Sequence, residues 1–229
     1  MGPMDGLHIV ATPIGNLEDM TYRAVRTLQE VDFILAEDTR HTRKLLSHFD
    51  IHAELVSCRA QNEARVADTC IERFQSGETA AYVSDAGTPG LSDPGAVLVS
   101  KVRAAGFPVR PIPGASALAA IVSVAGYPGK GVRFVGFLSP KGGRRRRRLQ
   151  ELLAIGDAFV LYESPYRTVK LLEDMVSLEP DRRLLVGREM TKMHEEYLEG
   201  TARDVANILS TRAQVKGEVT VLVAPRKKG

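Results

Sequence analysis

Short apolar runs alternate with amphipathic runs along nearly the whole chain, and this alternation constrains the fold more than any other feature. In the first half, the pattern predicts strands at residues 7–12, 32–37, 79–84 and 108–113, and helices at residues 21–31, 39–49, 62–74, 96–106 and 115–126. The helical period is clearest in residues 62–74, where Ala64, Ala67, Ile71 and Phe74 are three or four positions apart. Strands separated by helices are typical of a parallel sheet with helical crossovers.

The second half of the chain keeps this alternation. It predicts strands at residues 133–137, 158–163, 183–189 and 218–224, helices at residues 145–154, 166–176 and 201–210, and a short antiparallel strand at residues 194–200. We therefore predict an α/β protein of two closely packed lobes, residues 1–115 and 116–229. The first sheet should be mostly parallel and the second mixed, with a ligand cleft between the lobes.

Composition is typical of a soluble globular protein. Apolar residues make up 44% of the 229 residues and charged residues 26%, and no apolar run approaches the ~18 residues that a membrane span requires. The first ten residues lack the charged and apolar segments of a secretory signal. The two cysteines, Cys58 and Cys70, have neither the spacing of a metal site nor the number of a disulfide framework, which favours a reducing, cytoplasmic location.

The basic residues are concentrated locally, although the net charge is only +3. One run consists of five consecutive arginines: Arg144, Arg145, Arg146, Arg147 and Arg148. A charge run of this kind often does no more than face solvent at the start of a helix. Five adjacent cations without an acid between them repel one another unless an anion is near, so we favour a contact with RNA phosphates.

Residues typical of ligand-binding loops follow the predicted strands of the first lobe. These loops are residues 12–19, 37–42, 84–95 and 113–116. The loop SDAGTPGLSDPG, residues 84–95, holds three glycines, two prolines and two aspartates. Because the carboxyl ends of parallel strands meet at one edge of a sheet, the loops should form one ligand-binding region. Each loop alone is also compatible with a tight turn, and Asp85 and Asp93 with helix caps.

Several reaction classes lack their sequence motifs in this chain. No G-x-G-x-x-G follows the first predicted strand and no G-x-x-x-x-G-K-[ST] is present, which argues against a dinucleotide-dependent dehydrogenase and a P-loop NTPase. The five histidines form no H-E-x-x-H motif or other zinc-type cluster, and no serine lies in G-x-S-x-G. The sequence therefore predicts neither a metal site nor a hydrolase nucleophile.

Six segments of the chain resemble one family of enzymes. They are VATPIGNLEDMTYRAVRTLQEVDFILAEDTRHTRKLL, SDAGTPGLSDPG, PIPGASAL, YESPYR, REMTK and KGEVTVLV, and the resemblance extends from residue 7 to residue 224. The chain is similar to the tetrapyrrole-methylase-like, class III methyltransferases, and TPIGNLED with AEDTRHT is typical of their branch that acts on small-subunit ribosomal RNA. Members of that branch often continue past the last strand into a helical region, whereas this sequence stops at APRKKG. If that region helps to grip RNA, this chain should depend more on its arginine run.

The resemblance implies S-adenosylmethionine as the cofactor, bound in the cleft between the two lobes of a subunit in a homodimer. It also implies 2′-O-methylation of a cytidine in the decoding region of small-subunit ribosomal RNA, either as free RNA or in an assembled subunit. Similarity to the family places these cofactor-binding residues at the cleft: Pro13, Ser84, Asp85, Ala86, Gly87, Thr88, Ser116, Ala117, Tyr162 and Arg188. The backbone amides and carbonyls of residues 85–88 are the expected contacts to the methionine part of the cofactor.

Methylation of a hydroxyl requires removal of its proton, and a general base typically contributes ~10²- to 10⁴-fold to the rate. The candidates are Glu37 and Asp38, directly after the second strand, and Lys192, provided that its cleft lowers its pKa. Each has a structural alternative: Asp38 as a helix N-cap, and Lys192 in a surface pair with Glu189. The guanidinium groups with the geometry to bind phosphate oxygens are those of Arg40, Arg43 and Arg188.

Two other functions remain open at this point. A methyltransferase of the same fold acting on a small tetrapyrrole would need an apolar cleft and would gain nothing from the arginine run. A non-catalytic ribosome assembly factor would bind the small subunit but not the cofactor.

Overall fold

The computed structural model describes residues 5–127 and 131–226. The chain divides into two units, residues 1–116 and 117–229, and each unit is built on its own five-stranded sheet. Within the described residues, no helix is both long and apolar enough to cross a membrane.

The first unit is a parallel sheet whose crossovers are helices. Its elements are β1 (Gly6–Val10), α1 (Tyr22–Glu30), β2 (Phe33–Ala36), α2 (Thr39–His48), β3 (Glu54–Ser57), α3 (Glu63–Gln75), β4 (Thr79–Val83), α4 (Ala96–Ala104) and β5 (Val109–Ile112). The strand order is β3-β2-β4-β1-β5, and every neighbouring pair is parallel. β3 has no counterpart among the predicted strands, because this four-residue edge strand is only partly buried and has little apolar pattern.

The apolar side of each helix decides which face of this sheet the helix covers. Leu28 of α1 and Leu46 of α2 pack with one face of the sheet, whereas Phe74 of α3 and Leu98 of α4 pack with the other. The connections that leave the neighbouring strands β1 and β4 therefore diverge to opposite faces. Such a divergence opens a crevice at the carboxyl edge of a parallel sheet, where ligands usually bind.

The second unit contains a mixed sheet. Its elements are α5 (Ala117–Val124), β6 (Val132–Phe137), α6 (Gly142–Ile155), β7 (Ala158–Glu163), α7 (Pro165–Leu178), β8 (Arg183–Arg188), β9 (Glu196–Thr201), α8 (Ala202–Ser210) and β10 (Val219–Val223). The order is β6-β7-β10-β8-β9, in which only β6 and β7 are parallel. The predicted α/β class, with a mostly parallel first sheet and a mixed second sheet, is confirmed.

Candidate active site

Three loops at the carboxyl edge of the first sheet are joined by hydrogen bonds. Thr12, after β1, and Gly87, after β4, exchange two backbone hydrogen bonds with N···O distances of 2.9 and 3.0 Å. The Thr88 hydroxyl donates to the carbonyl oxygen of Ala115, after β5, at 3.1 Å. The structure therefore brings loops 12–19, 84–95 and 113–116 together at one edge of the sheet.

Gly87 shapes this junction. Its φ of +78° lies in the left-handed region that favours glycine, and a Cβ atom placed on it would lie 3.2 Å from Cγ2 of Ile14. Both its N–H group and its carbonyl oxygen are bonded to Thr12. Its N–H group is therefore not a free donor for a ligand, contrary to the expectation that every amide of residues 85–88 contacts the cofactor.

Three other amides of the same loop remain available. The backbone N–H groups of Asp85, Ala86 and Thr88 donate no hydrogen bond to any backbone carbonyl or side chain that the structure describes. Closely spaced free N–H groups form a donor set that suits a carboxylate or a phosphate. This donor set fits the amino-acid end of a cofactor such as S-adenosylmethionine.

Four carboxyl groups lie in the loops that follow β2 and β4. The backbone N–H of Asp38 donates to Oδ1 of Asp85 at 3.1 Å and joins these two loops. Burial, followed by the negative charges of Asp85 and Asp93, raises the pKa of Glu37. Burial and the charge of Asp85 also raise the pKa of Asp93 to about 6, against a hydrogen bond with Ser84 that acts to lower it. Two acids at this edge are thus easier to protonate than isolated carboxyls.

Asp38 differs from these two acids because it caps a helix. Its Oδ1 accepts a hydrogen bond from the backbone N–H of Arg40 at 2.9 Å, and this bond is the main cause that lowers the pKa of Asp38. A carboxylate with a lowered pKa is a weak proton acceptor. The N-cap alternative for Asp38 is therefore the one that the geometry supports.

The sequence suggests a helix-capping role for Asp93, but the structure places this residue elsewhere. The N-cap of α4 is Gly95, and no side chain caps that helix. Asp93 is half-buried and interacts with Ser84. The sequence signal for a functional acid was its place in a Gly/Pro-rich loop at a strand end, but its burial could not be predicted from that position.

The predicted residues of the second unit lie on or after β7 and β8. Tyr162 of β7 lies between two aromatic rings of β6, with centroid distances of 5.0 Å to Phe134 and 5.8 Å to Phe137. Three N–H donors of Arg188 are already used, by Glu196 at 2.8 Å and by two backbone carbonyl oxygens at 3.1 and 3.2 Å. An arginine has five such donors, so Arg188 has little capacity left for a phosphate, contrary to that prediction.

Lys192 is held between two carboxylates. Its Nζ donates to Oε1 of Glu189 at 2.9 Å and to Oε2 of Glu218 at 3.0 Å. Burial acts to lower the pKa of Lys192, but the two hydrogen bonds outweigh burial and raise it. Lys192 could act as a base only if its pKa were lowered, and the structure shows the opposite. Lys192 is therefore a cation at neutral pH. The backbone φ of Glu189 is +50°, in the left-handed region that residues other than glycine rarely adopt.

The arginine run lies in the first turns of α6, and its five side chains differ. Arg145 is buried, and its Nε donates to Oδ2 of Asp174 at 2.8 Å. Arg148 is exposed and pairs with Glu151 at 2.8 Å. The exposed side chains without an ion pair to any described residue are those of Arg144, Arg146 and Arg147. Arg145 is a structural residue, so the prediction that all five arginines contact RNA is wrong for this one.

The remaining predicted residues keep to their expected elements. Arg40 and Arg43 are exposed on α2. Pro13 and Ser116 are half-buried in the loops after β1 and β5, whereas Ala117 begins α5 in the second unit.

The chain is similar to one family over most of its length. Residues 6–206 match the family described as tetrapyrrole (corrin/porphyrin) methylases. A protein of Borrelia garinii subsp. bavariensis named ribosomal RNA small subunit methyltransferase I is 48% identical over 219 residues. The match covers 95% of this chain and 98% of that protein.

Two solved structures show the same fold. The methyltransferase CobJ has a TM-score of 0.71 and 19% identity, covering 98% of this chain and 97% of that one. Uroporphyrin-III C-methyl transferase from Thermus thermophilus, complexed with S-adenyl homocysteine, has a TM-score of 0.63 and 18% identity, covering 95% of this chain and 96% of that one. Together with the sequence matches, these findings establish that the chain belongs to the tetrapyrrole (corrin/porphyrin) methylase family, in its ribosomal RNA small subunit methyltransferase I branch.

Proposed function

We propose that this protein transfers a methyl group from S-adenosylmethionine to the 2′-hydroxyl of a cytidine in the decoding region of small-subunit ribosomal RNA. The observation that carries the proposal is the 48% identity, over 95% of the chain, to a ribosomal RNA small subunit methyltransferase I. The cofactor class is supported by the related Thermus thermophilus enzyme, whose structure holds S-adenyl homocysteine. A substrate in the ribosome also suits the predicted cytoplasmic location.

The cofactor supplies an electrophilic methyl group on a sulfonium, and the chain must hold and align it. We assign its carboxylate to the free backbone N–H groups of Asp85, Ala86 and Thr88, with Gly87 keeping the adjacent space open. Alignment of this kind contributes up to ~7–11 kcal/mol in favourable reactions. The other proposed cofactor contacts are Pro13, Ser84, Ser116, Ala117, Tyr162 and Arg188.

The hydroxyl proton must leave during the transfer, and we assign its acceptor to the acid pair Glu37 and Asp93. Both have a raised pKa, and a general base is most effective when its pKa is near the working pH. Asp38 and Lys192 are less suitable, because Asp38 caps α2 and Lys192 is protonated. Lys192 thus acts as a fixed cation between Glu189 and Glu218.

The proposed function is tested by methyl transfer from labelled S-adenosylmethionine to purified small ribosomal subunits lacking the modification, with free ribosomal RNA and a precorrin as parallel substrates. We expect label on a single cytidine ribose. Label only on the precorrin would establish the tetrapyrrole alternative, which the sequence relatives do not favour. Absence of cofactor binding in calorimetry would instead favour a non-catalytic assembly factor.

The arginine run should contribute to RNA binding through its unpaired members. Replacing Arg144, Arg146 and Arg147 with glutamine should weaken RNA binding and flatten the log–log salt dependence by about 0.7–0.9 per lost phosphate contact. Affinity for the cofactor should not change. Binding measured at several salt concentrations checks this.

The matched control for this experiment is Arg148→Gln, since Glu151 already neutralises that guanidinium. This variant should change the salt slope less than any of the three unpaired positions. Arg145 is left intact, because its loss would leave Asp174 without its buried partner. Identical salt slopes for the triple variant and the unmodified protein would mean that these arginines face only water.

We also propose that the protein is a homodimer. The second unit exposes the apolar side chains of Val124, Val132 and Phe137, with exposed fractions of 56%, 42% and 56%. Val132 and Phe137 belong to β6, which lies at an open edge of its sheet. Light scattering should give twice the chain mass of 25.0 kDa, and Val132→Lys should shift the protein toward the single-chain mass. A monomeric unmodified protein would contradict the proposal.

A further inference from the structure

One surface of the first unit carries several cations besides Arg40 and Arg43, which the sequence already predicts to bind phosphate. α1 and α2 together contain one acid, Glu30, and five arginines and lysines: Arg23, Arg26, Arg40, Arg43 and Lys44. All five basic side chains are exposed. Both helices pack on the same face of the sheet through Leu28 and Leu46, so their outer sides face solvent on the same side of this unit.

Most of these cations lack a partner within the protein. The side chains of Arg23, Arg26, Arg43 and Lys44 form no ion pair with any residue in the ranges 5–127 and 131–226. Arg40 reaches Asp38 only at 3.8 Å, and its side chain is 84% exposed. Cations three or four residues apart on a helix repel one another, and an external anion would relieve this repulsion.

An exposed aromatic ring accompanies the cations. Tyr22, the first residue of α1, is 99% exposed. Residues four apart are neighbours on a helix surface, so Tyr22 lies beside Arg26. An unburied aromatic ring next to arginines is typical of proteins that stack the bases of single-stranded nucleic acid.

The opposite face of the same sheet has balanced charges. On that face, Lys101 of α4 pairs with Asp68 of α3 at 2.5 Å. Arg73 of α3 pairs with Glu54 at 2.9 Å and also with Glu78. α3 and α4 together hold three acids and four arginines and lysines, so positive and negative charges nearly balance on that face. The large net excess of cations is therefore found on the α1 and α2 side.

We propose that this surface, the α1/α2 face, binds a single-stranded segment of RNA. The face consists of Tyr22, Arg23, Arg26, Arg43 and Lys44. Its cations contact phosphates, which position the strand without reading its sequence, and the Tyr22 ring stacks on one base. The inference rests on the proposed function only in taking RNA as the partner. It adds a contact on the first unit that is separate from the arginine run of α6.

The test uses the full chain and a labelled single-stranded RNA oligonucleotide without self-complementarity, with fluorescence anisotropy at several salt concentrations. Arg23→Gln combined with Arg26→Gln should flatten the salt slope by about 1.4, or about 0.7 for each lost phosphate contact. Tyr22→Ala should weaken binding by about 5- to 150-fold. Tyr22→Phe, which keeps the ring, should bind like the unmodified protein.

The matched control removes two exposed arginines from the opposite face. Arg65 of α3 and Arg103 of α4 are exposed and form no ion pair with a described residue. Arg65→Gln combined with Arg103→Gln makes the same change in net charge and should leave the salt slope unchanged. Equal decreases in the salt slope for both double variants would mean that only the total charge matters. This result would overturn the proposal for the α1/α2 face.

Failure of this inference is distinguishable from failure of the proposed function. If the double variant of α1 and Tyr22→Ala bind the oligonucleotide normally, the α1/α2 face is wrong, even if ribosomal RNA is methylated. Loss of binding only to intact subunits would assign the face to a ribosomal protein and also overturn the inference. If the oligonucleotide results are as expected but no RNA is methylated, RNA binding by the α1/α2 face is supported and the proposed function is wrong.

Discussion

Replacing Gly87 with valine is expected to abolish cofactor binding while leaving a folded protein. The glycine has a φ of +78°, and a residue other than glycine pays roughly 1–2 kcal/mol in this region. Its added Cβ would lie 3.2 Å from Cγ2 of Ile14 and 3.7 Å from the carbonyl oxygen of Ala115, and the valine methyls would extend farther. The loop should therefore shift away from Thr12 and carry the free N–H groups with it.

Gly90 of the same loop provides the matched control. Its φ is +85°, but a Cβ atom there would meet nothing within 4 Å. Gly90→Val should therefore lower stability by a similar amount and still bind the cofactor. Thermal unfolding shows whether each variant folds, and calorimetry with S-adenosylmethionine measures the affinity. Similar affinities for the two variants would mean that Gly87 serves only the turn.

Replacing Asp93 with asparagine should lower kcat for methyl transfer by about 10²- to 10⁴-fold, the usual contribution of a general base. A base must be ionised to accept the hydroxyl proton. Since burial raises the pKa of Asp93 to about 6, the rate of the unmodified enzyme should fall as the pH drops through about 6. The residual rate of Asp93→Asn should not show this fall at low pH. Glu37→Gln should also slow the reaction, because the pKa of Glu37 is raised as well.

Asp38→Asn is the control for this experiment. Asparagine is as good an N-cap as aspartate, so α2 should keep its start and the rate should change little. Cofactor affinity should be unchanged in all three variants, which separates proton transfer from binding. A large loss of rate in Asp38→Asn, together with a small loss in Asp93→Asn, would show that the base is Asp38.

The sequence predicted local structure well where the pattern was strong. The strands predicted at 7–12, 79–84 and 158–163 correspond to β1, β4 and β7, because a buried strand requires a run of apolar residues in the sequence itself. The start of α2 could also be predicted, since Asp38 caps it by accepting a hydrogen bond from the backbone N–H of Arg40, only two residues later. The partly buried edge strand β3 has no such pattern, so the sequence does not predict it.

The sequence predicted which loops form the site, but it did not predict the environment of each side chain in them. Gly/Pro-rich segments after parallel strands must meet at one edge, and the bonds that join Thr12 to Gly87 and Thr88 to Ala115 lie there. Which acid is poised to accept a proton could not be predicted in this way. Asp38 and Asp93 both follow strands in similar loops, yet the pKa of Asp38 is lowered and that of Asp93 is raised.

By itself, the sequence determined the alternation of strands and helices, the family, and the edge of the sheet where the loops gather, because each depends on neighbours along the chain. The tertiary structure alone decided the roles of individual charges. Arg145 is buried because Asp174 lies 29 residues later in sequence and contacts it in space. Lys192 stays protonated because the carboxylate of Glu218, 26 residues later, accepts a hydrogen bond from its Nζ. Burial and electrostatic interaction depend on such distant contacts, which no local pattern records.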